Sequence, residues 1–410
     1  MTANQKEYDV VIIGAGPAGS LAATMLAQRG VNVLVIEKSG FPRFVIGESL
    51  LPQSMVYLEK AGILGAVESA NFQRKNGANF SDDSQYSSIN FGDKFTEGWS
   101  TTYQVQREKF DSLLAKEAEK AGAEIWFENT VLDVQFDNAG VTISGRGQEG
   151  EYFLRCRFVV DASGYGRVLP RLLNLSVPST FPVRHALFTH IDDTLDQQDF
   201  DREKILITVH PQYSDIWFWL IPFSKGVSSV GVVCSAEHMG RYEGSSSDKL
   251  WALIAETSQL SELLTGAKER RPVSELSGYS SNVSKMCSPQ FALLGNAGEF
   301  LDPVFSSGVT IALKSADLLV DPLMRQLSGE KVDWEEDFAA PLKVGVDCFR
   351  AFVEAWYEGE LQTILFNPPS YDNPIKKMIV SILAGYAWDE KNPFVKQGKR
   401  YIDLLAAQCA

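Results

Sequence analysis

The segment from Tyr8 to Lys38 constrains this chain more than any other. Tyr8 to Ile13 is a short run rich in β-branched residues, the pattern of a strand buried on both faces. Gly14, Gly16 and Gly19 follow at G-x-G-x-x-G spacing. Ala18 to Arg29 has helical composition and stops at Gly30, and Val31 to Ile36 is a second buried strand that ends at Glu37 and Lys38. Each part has a chemical reason. Gly14 permits the sharp turn, Gly16 lets a pyrophosphate reach the backbone, and Gly19 lets helix and strand pack closely. With Pro17 and Ala18, these residues put the first amides of a helix, and the positive end of its dipole, against phosphate. Glu37 is placed to accept from an adenosine ribose. Strand, turn, helix, second strand and terminal acid together predict a dinucleotide site.

The same spacing recurs at Gly145, Gly147 and Gly150. There it lies between VTIS and YFLRCRFVV with no helix after it, so it predicts a hairpin turn and no nucleotide.

A chain of 410 residues is long enough for two or three lobes. Its formal net charge of −14 argues against nucleic acid or an anionic membrane as a main partner. The five cysteines are scattered and no C-x-x-C occurs, which points to reduced thiols and a cytoplasmic location. The four histidines lack ligand spacing, so no metal site is expected. No signal-peptide core is evident at the start, and the apolar stretch Met378 to Trp388 is too short to span a bilayer.

Further along, Phe41, Pro42 and Gly47 mark a loop, and Leu50 to about Gly62 reads as an amphipathic helix that Ser49 could cap. Two strands of a second lobe follow, with Lys75 between Phe72 and Gly77. A lysine there is ordinarily a solvated surface residue. Arg107 precedes a helix from Lys109 to Ala121, where pairing with an acid on that helix is one role open to it. Phe158 to Val160 is another buried strand, ending in the small-residue turn Asp161-Ala162-Ser163-Gly164. From Pro178 to Pro272 the pattern changes to long alternating runs (KILITVH, DIWFWLIPF, VSSVGVVCS), then a helical segment that could be broken. A third strand, Phe291 to Leu294, leads through a Gly-, Pro- and Ser-rich loop into a helix from Val309 to Leu327. Amides at such a helix start suit an anion or a flavin ring. The remainder from Trp334 is helical and aromatic.

Gly14 to Gly19, Glu37, Arg107, Asp161 to Gly164 and the Gly295 loop together resemble the group A FAD monooxygenase fold. GESLLP is similar to the segment that covers the flavin edge in that group. The run Trp217-Phe218-Trp219-Leu220-Ile221-Pro222 matches the W-x-W-x-I-P signature of flavin-dependent halogenases, although isoprenoid-chain reductases carry a similar strand. Phe300, Pro303, Ser306 and Gly308 match the halogenases' F-x-x-P-x-x-S-x-G, and Lys75 falls under their lysine. The chain looks most like the phenol- and pyrrole-type branch.

The resemblance implies an α/β fold: a glutathione-reductase-type FAD-binding domain (1–70, 100–177, 273–330) interleaved with a β-sheet substrate domain (71–99, 178–272), and a helical cap over 331–410. It implies FAD held by Gly14, Gly16, Pro17, Ala18, Gly19, Glu37, Lys38, Gly47, Glu48, Ser49, Arg107, Asp161, Gly164, Asn296, Gly308 and Val309. It implies halide at the amides of Ser307 and Gly308, Trp217 and Trp219 between substrate and flavin, and Lys75 as the catalytic amine. The reaction implied forms hypohalous acid from reduced FAD, dioxygen and halide and halogenates an electron-rich arene, free or carried on a protein. A separate flavin reductase would reduce the FAD.

Two departures bear on this. Gly295-Asn296 replaces the usual Gly-Asp, and Phe305 stands where tryptophan halogenases place a glutamate, which argues against an indole substrate. The chain is also short for the family, which bears on whether a free substrate can be enclosed. Two other functions stay open: an FAD-dependent reductase of alkene or prenyl substrates, and a flavin-binding protein without catalysis.

Overall fold

The computed structural model describes residues 6–195, 200–367 and 374–409. The start of the chain, part of the β-lobe and part of the C-terminal segment therefore lie partly outside the described residues.

Two eight-stranded sheets organise the fold. The first runs Cys287–Ser288, Phe291–Leu293, Gly150–Asp161, Lys6–Ile13, Val33–Ile36, Glu124–Trp126. The four pairings from Phe291–Leu293 to Glu124–Trp126 are parallel. Parallel strands buried on both faces must be apolar throughout, which is why this sheet was legible as continuous runs. The helix Pro17–Ala27 follows the first strand and returns the chain to the second. The glycine repeat at 145–150 is a hairpin: Gly140–Gly147 pairs antiparallel with Gly150–Asp161, and Gly147 faces Gly150.

The second sheet runs Lys268–Glu269, Arg184–Asp192, Val227–Ser235, Trp217–Phe223, Lys204–Val209, Gly77–Ser81, Tyr86–Asn90. Ser274–Ser277 adds to Arg184–Asp192. Its strands come from two separate stretches of chain, and Gly77–Ser81 joins Lys204–Val209 in parallel.

Side-chain alternation divides its two faces. Trp217, Trp219 and Ile221 enter the large core shared with the first sheet. Phe218 and Leu220 enter a separate core that includes Leu250, Leu253 and Leu260. Those leucines belong to Ser246–Ala255 and Ser258–Leu263, so the predicted helical segment is broken in two; Ser245 and Asp248 form a capping box at its start.

Several boundaries move. The helix expected from Leu50 is Gln53–Lys60 and begins after Pro52, so Ser49 caps nothing. The helix after Gln106 starts at Arg107, and the late one is Ser307–Leu327. Beyond it, Ala340–Tyr357, Glu360–Phe366, Pro374–Leu383 and Pro393–Cys409 make the C-terminal helices. Trp356 packs on Phe305 and Phe80, with ring centroids 5.8 and 6.0 Å apart, which brings these helices against both the Ser-rich loop and the second sheet.

Gly231 makes room for one of the two indoles. A Cβ there would lie 2.4 Å from the Trp219 ring and 2.7 Å from the Leu187 carbonyl oxygen. Gly231→Ala is expected to lower unfolding free energy by about 1–3 kcal/mol in denaturant melts. A variant as stable as wild type would show that Trp219 can move.

Candidate functional site

One cavity lies between the two sheets and the start of the Ser307–Leu327 helix. Gly14, Gly16, Pro17, Ala18, Glu37, Lys38, Gly47, Glu48, Ser49, Arg107, Gly164, Asn296, Gly308 and Val309 all line it, as do Trp217 and Trp219. Gly19, Asp161, Ser307 and Lys75 do not.

Three of those four absences have evident causes. A Cβ on Gly19 would lie 1.9 Å from the Gly14 carbonyl oxygen, so this glycine serves helix–strand packing. Asp161 accepts from the Ser163 amide (2.9 Å) and the Leu169 amide (2.6 Å), which holds its own turn. The Ser307 side chain is buried at the head of its helix. Its amide and that of Gly308 belong to the first turn, where helical amides lack intrahelical acceptors. Ser306 before them is in the left-handed region at φ 56°.

The nucleotide end fits FAD. In front of Gly16 a Cβ would meet only Arg43 Nη2, at 3.6 Å, leaving an open cradle beside the helix start. Glu37 is buried; Oε2 accepts from the Ala15 amide and Oε1 from the Ser39 amide, each at 3.0 Å. A carboxylate oxygen holding one bond keeps capacity for a ribose hydroxyl. Glu48 is buried at the cavity wall; Oε1 lies 2.8 Å from His190 Nε2, and Oε2 has no partner among the described residues.

Arg107 makes the pairing with a helix-face acid. It forks onto Asp111 at 2.7 and 3.0 Å, donates to the Ile46 carbonyl at 2.9 Å, and lines the cavity. It therefore anchors the segment carrying Gly47 to Ser49. Arg43 escaped the sequence reading. It lies 3.1 Å from Asp111 and 3.5 Å from Glu37, beside the Gly16 cradle. Only its charge after Phe41-Pro42 hinted at it.

The second sheet supplies an apolar wall: Ala186, Phe188, Ile205, Ile207, Trp217, Trp219, Ile221 and Leu276. The two indole rings are 5.9 Å apart. Both spend their N–H groups inside the protein, Trp217 on Tyr357 (3.0 Å) and Trp219 on Ser229 (3.1 Å).

Lys75 is buried at the end of Gln73–Lys75, opposite Thr102. Its Nζ donates to Ser49 Oγ at 2.7 Å and the Leu50 carbonyl at 3.0 Å, and lies 5.3 Å from the Phe91 ring centroid. Ser49, not the amine, meets the cavity. Burial lowers the Lys75 pKa from 10.5 to about 7, because an ammonium loses its hydration there.

The sequence profile of the FAD binding domain family matches residues 7–337. A 1H-pyrrole-2-carbonyl-[peptidyl-carrier protein] chlorinase of Pseudomonas fluorescens is 28% identical over 98% of this chain and 94% of its own. The corresponding brominase of Pseudoalteromonas luteoviolacea is 27% identical over 94% and 93%. Among solved structures, a flavoprotein/dehydrogenase from Cytophaga hutchinsonii is 40% identical with a TM-score of 0.94, covering 98% of this chain and 99% of its own. The flavin-dependent brominase Bmp2 is 26% identical with a TM-score of 0.82, covering 97% and 99%. The apparent shortness of the chain thus disappears beside the carrier-protein relatives.

Two outcomes follow from the site's charges. The folded Lys75 releases its proton near pH 7, while the unfolded one keeps it to about 10.5. Stability contributed at this position therefore rises with pH across that window. Lys75→Met should be more stable than wild type at pH 7, with the difference shrinking by about 2 kcal/mol by pH 9 in denaturant titrations. A difference independent of pH would mean the amine is not desolvated. Arg43→Ala should weaken FAD binding about ten-fold or more, read by flavin fluorescence, through loss of a charge-assisted contact. Unchanged affinity would free Arg43 of that role.

Proposed function

The chain belongs to the FAD binding domain family, and we propose that within it the protein is a halogenase that forms hypohalous acid and delivers it to an electron-rich ring, a pyrrole or a phenol. Bound FAD, reduced by a separate flavin reductase, would give two electrons to dioxygen while halide gives the other two, so that one oxygen atom ends in water and the other in hypohalous acid. The protein's own residues do the rest. Gly14, Gly16, Pro17, Ala18, Glu37 and Arg43 hold the dinucleotide end. Ser307 and Gly308 offer amides to the halide. Trp217 and Trp219 keep an arene off the flavin, so that it is not hydroxylated directly. Lys75, with a pKa near neutrality, hydrogen-bonds and polarises hypohalous acid, or as a free amine carries the halogen. Ser49, which accepts from the amine and borders the cavity, gives that acid its route to Lys75.

The observation that carries this reading is the pairing of two indoles on one cavity wall with a buried amine behind the neighbouring wall, held by the neutral acceptors Ser49 Oγ and the Leu50 carbonyl. Apolar residues around a reactive electrophile also limit its loss to water. The near end-to-end match to the chlorinase and brominase supports a pyrrole carried on a peptidyl-carrier protein. The Tryptophan 2-halogenase of Chondromyces crocatus is matched along only 66% of its length. Phe305 in place of a glutamate agrees with that choice.

The test is mass spectrometry of phenol and pyrrole substrates, free and carrier-borne, with FAD, a flavin reductase, oxygen and bromide. Wild type should yield brominated product. Lys75→Ala should retain FAD and its reoxidation while product falls at least about 100-fold. Full product formation by Lys75→Ala would remove the lysine from the mechanism.

A second reading is an FAD-dependent reductase or dehydrogenase. The name of the Cytophaga hutchinsonii protein favours it. Anaerobic bleaching of the bound flavin by an organic donor, without any halogenated product in air, would select it.

A further inference from the structure

The two indoles of the cavity wall are held in different ways. Trp219 donates to Ser229, on the neighbouring strand of its own sheet, at 3.1 Å. Trp217 donates out of the sheet, at 3.0 Å, to the hydroxyl of Tyr357 at the end of helix Ala340–Tyr357. The Tyr357 hydroxyl donates onward to Asp302 Oδ2 at 2.9 Å, and Asp302 Oδ1 accepts from the Val304 amide at 3.0 Å. Asp302 lies in the loop that leads into Ser307 and Gly308. One relay therefore joins the second sheet, a C-terminal helix and the start of the Ser307–Leu327 helix.

The direction of this relay is fully determined. An indole N–H can only donate, so the phenol oxygen must accept it and the phenol hydrogen must go elsewhere. A carboxylate can only accept, and it takes that hydrogen. Both Asp302 oxygens already accept a hydrogen, so a proton added to either weakens one of the two contacts. The relay is complete only while Asp302 is charged.

That charge is costly where it stands. Asp302 is 3% exposed, and among the described residues no cation pairs with it. Arg184 stacks 4.1 Å from the Tyr357 ring centroid but directs Nη1 to Asp215 at 2.8 Å. The phenols of Tyr279 and Tyr165 are the other titratable groups whose fields reach it. Burial raises the Asp302 pKa to about 6. A buried carboxylate held by neutral donors contributes little to stability, and the best-attested use of such a group is to fix one arrangement among several.

We propose that Asp302 and Tyr357 are positioning residues for Trp217: the carboxylate, acting through the phenol, fixes the indole in the cavity wall and ties that wall to the loop entering Ser307 and Gly308. That the wall keeps an arene off the flavin rests on the halogenase reading; the relay itself rests on the side chains alone.

The test is heteronuclear NMR of the indole N–H groups in the oxidised, FAD-loaded protein, without halide or reductant, assigned with Trp217→Phe and Trp219→Phe. In wild type the Trp217 N–H signal should titrate with a midpoint near pH 6, while the Trp219 signal, on Ser229, stays still. Tyr357→Phe keeps the ring and removes the hydroxyl. It should abolish the Trp217 titration and speed exchange of that indole hydrogen about ten-fold, with FAD content and the Trp219 signal unchanged. Asp302→Asn should also abolish the titration. A Trp217 signal independent of pH, a Trp219 signal that titrates in parallel, or a titration that survives Tyr357→Phe would overturn the proposal. The wild-type titration decides even if neither variant folds. Halogenated product plays no part in these measurements, so the relay and the halogenase reading fail separately.

Discussion

A backbone-on-backbone contact sets the geometry on which the other features depend. Gly14 turns at φ 101°, and a Cβ there would lie 2.6 Å from the Ala162 carbonyl oxygen. Gly19, one helical turn away, is pressed onto Gly14 itself. Strand, helix and neighbouring strand therefore meet without side chains between them. Because that contact is so close, the helix start points over the sheet edge and the cavity opens there. Any residue other than glycine would push the helix outward and carry the phosphate cradle with it.

From that floor the second sheet forms a ceiling with two chemically different faces. The period of two along Trp217–Phe223 sends Trp217, Trp219 and Ile221 to the cavity and Phe218 and Leu220 to the outer core. The cavity face then has its polar atoms withdrawn: one indole N–H goes to Ser229, the other to Tyr357 and on to Asp302. Withdrawing them leaves a wall that offers a ligand apolar and aromatic surface. The C-terminal helices matter to this chemistry because Tyr357 is the last residue of Ala340–Tyr357, so the indole's orientation depends on a helix far away in sequence.

Buried charge is managed differently at the two ends. At the nucleotide end Glu37, Arg43, Asp111 and Arg107 form a connected chain of opposite charges. Each ion has a partner, and the assembly holds the Gly47–Ser49 segment. Among the described residues Lys75 has only neutral acceptors, and its proton is correspondingly weakly held. Desolvation without a counter-ion tunes this amine toward neutrality.

The parallel sheet, the phosphate turn and the common face of Trp217 and Trp219 were all legible in the chain, because each depends on local periodicity or on a backbone conformation only glycine adopts easily. The false repeat at Gly145 to Gly150 could be dismissed for the same reason. Arg43, Asp302 and Tyr357 were not legible. They stand in unremarkable local contexts and acquire meaning from partners such as Asp111, Trp217 and each other. Lys75 shows both sides. Its resemblance to a known position was visible, but its burial behind Ser49 was not, since solvation is decided by segments distant in the chain. Sequence alone determined that this protein binds a dinucleotide in an α/β frame, because those constraints act over a few residues of backbone. Only the tertiary structure decided which polar groups are spent and which remain free in the cavity, because hydrogen-bond satisfaction depends on which distant side chains are brought together.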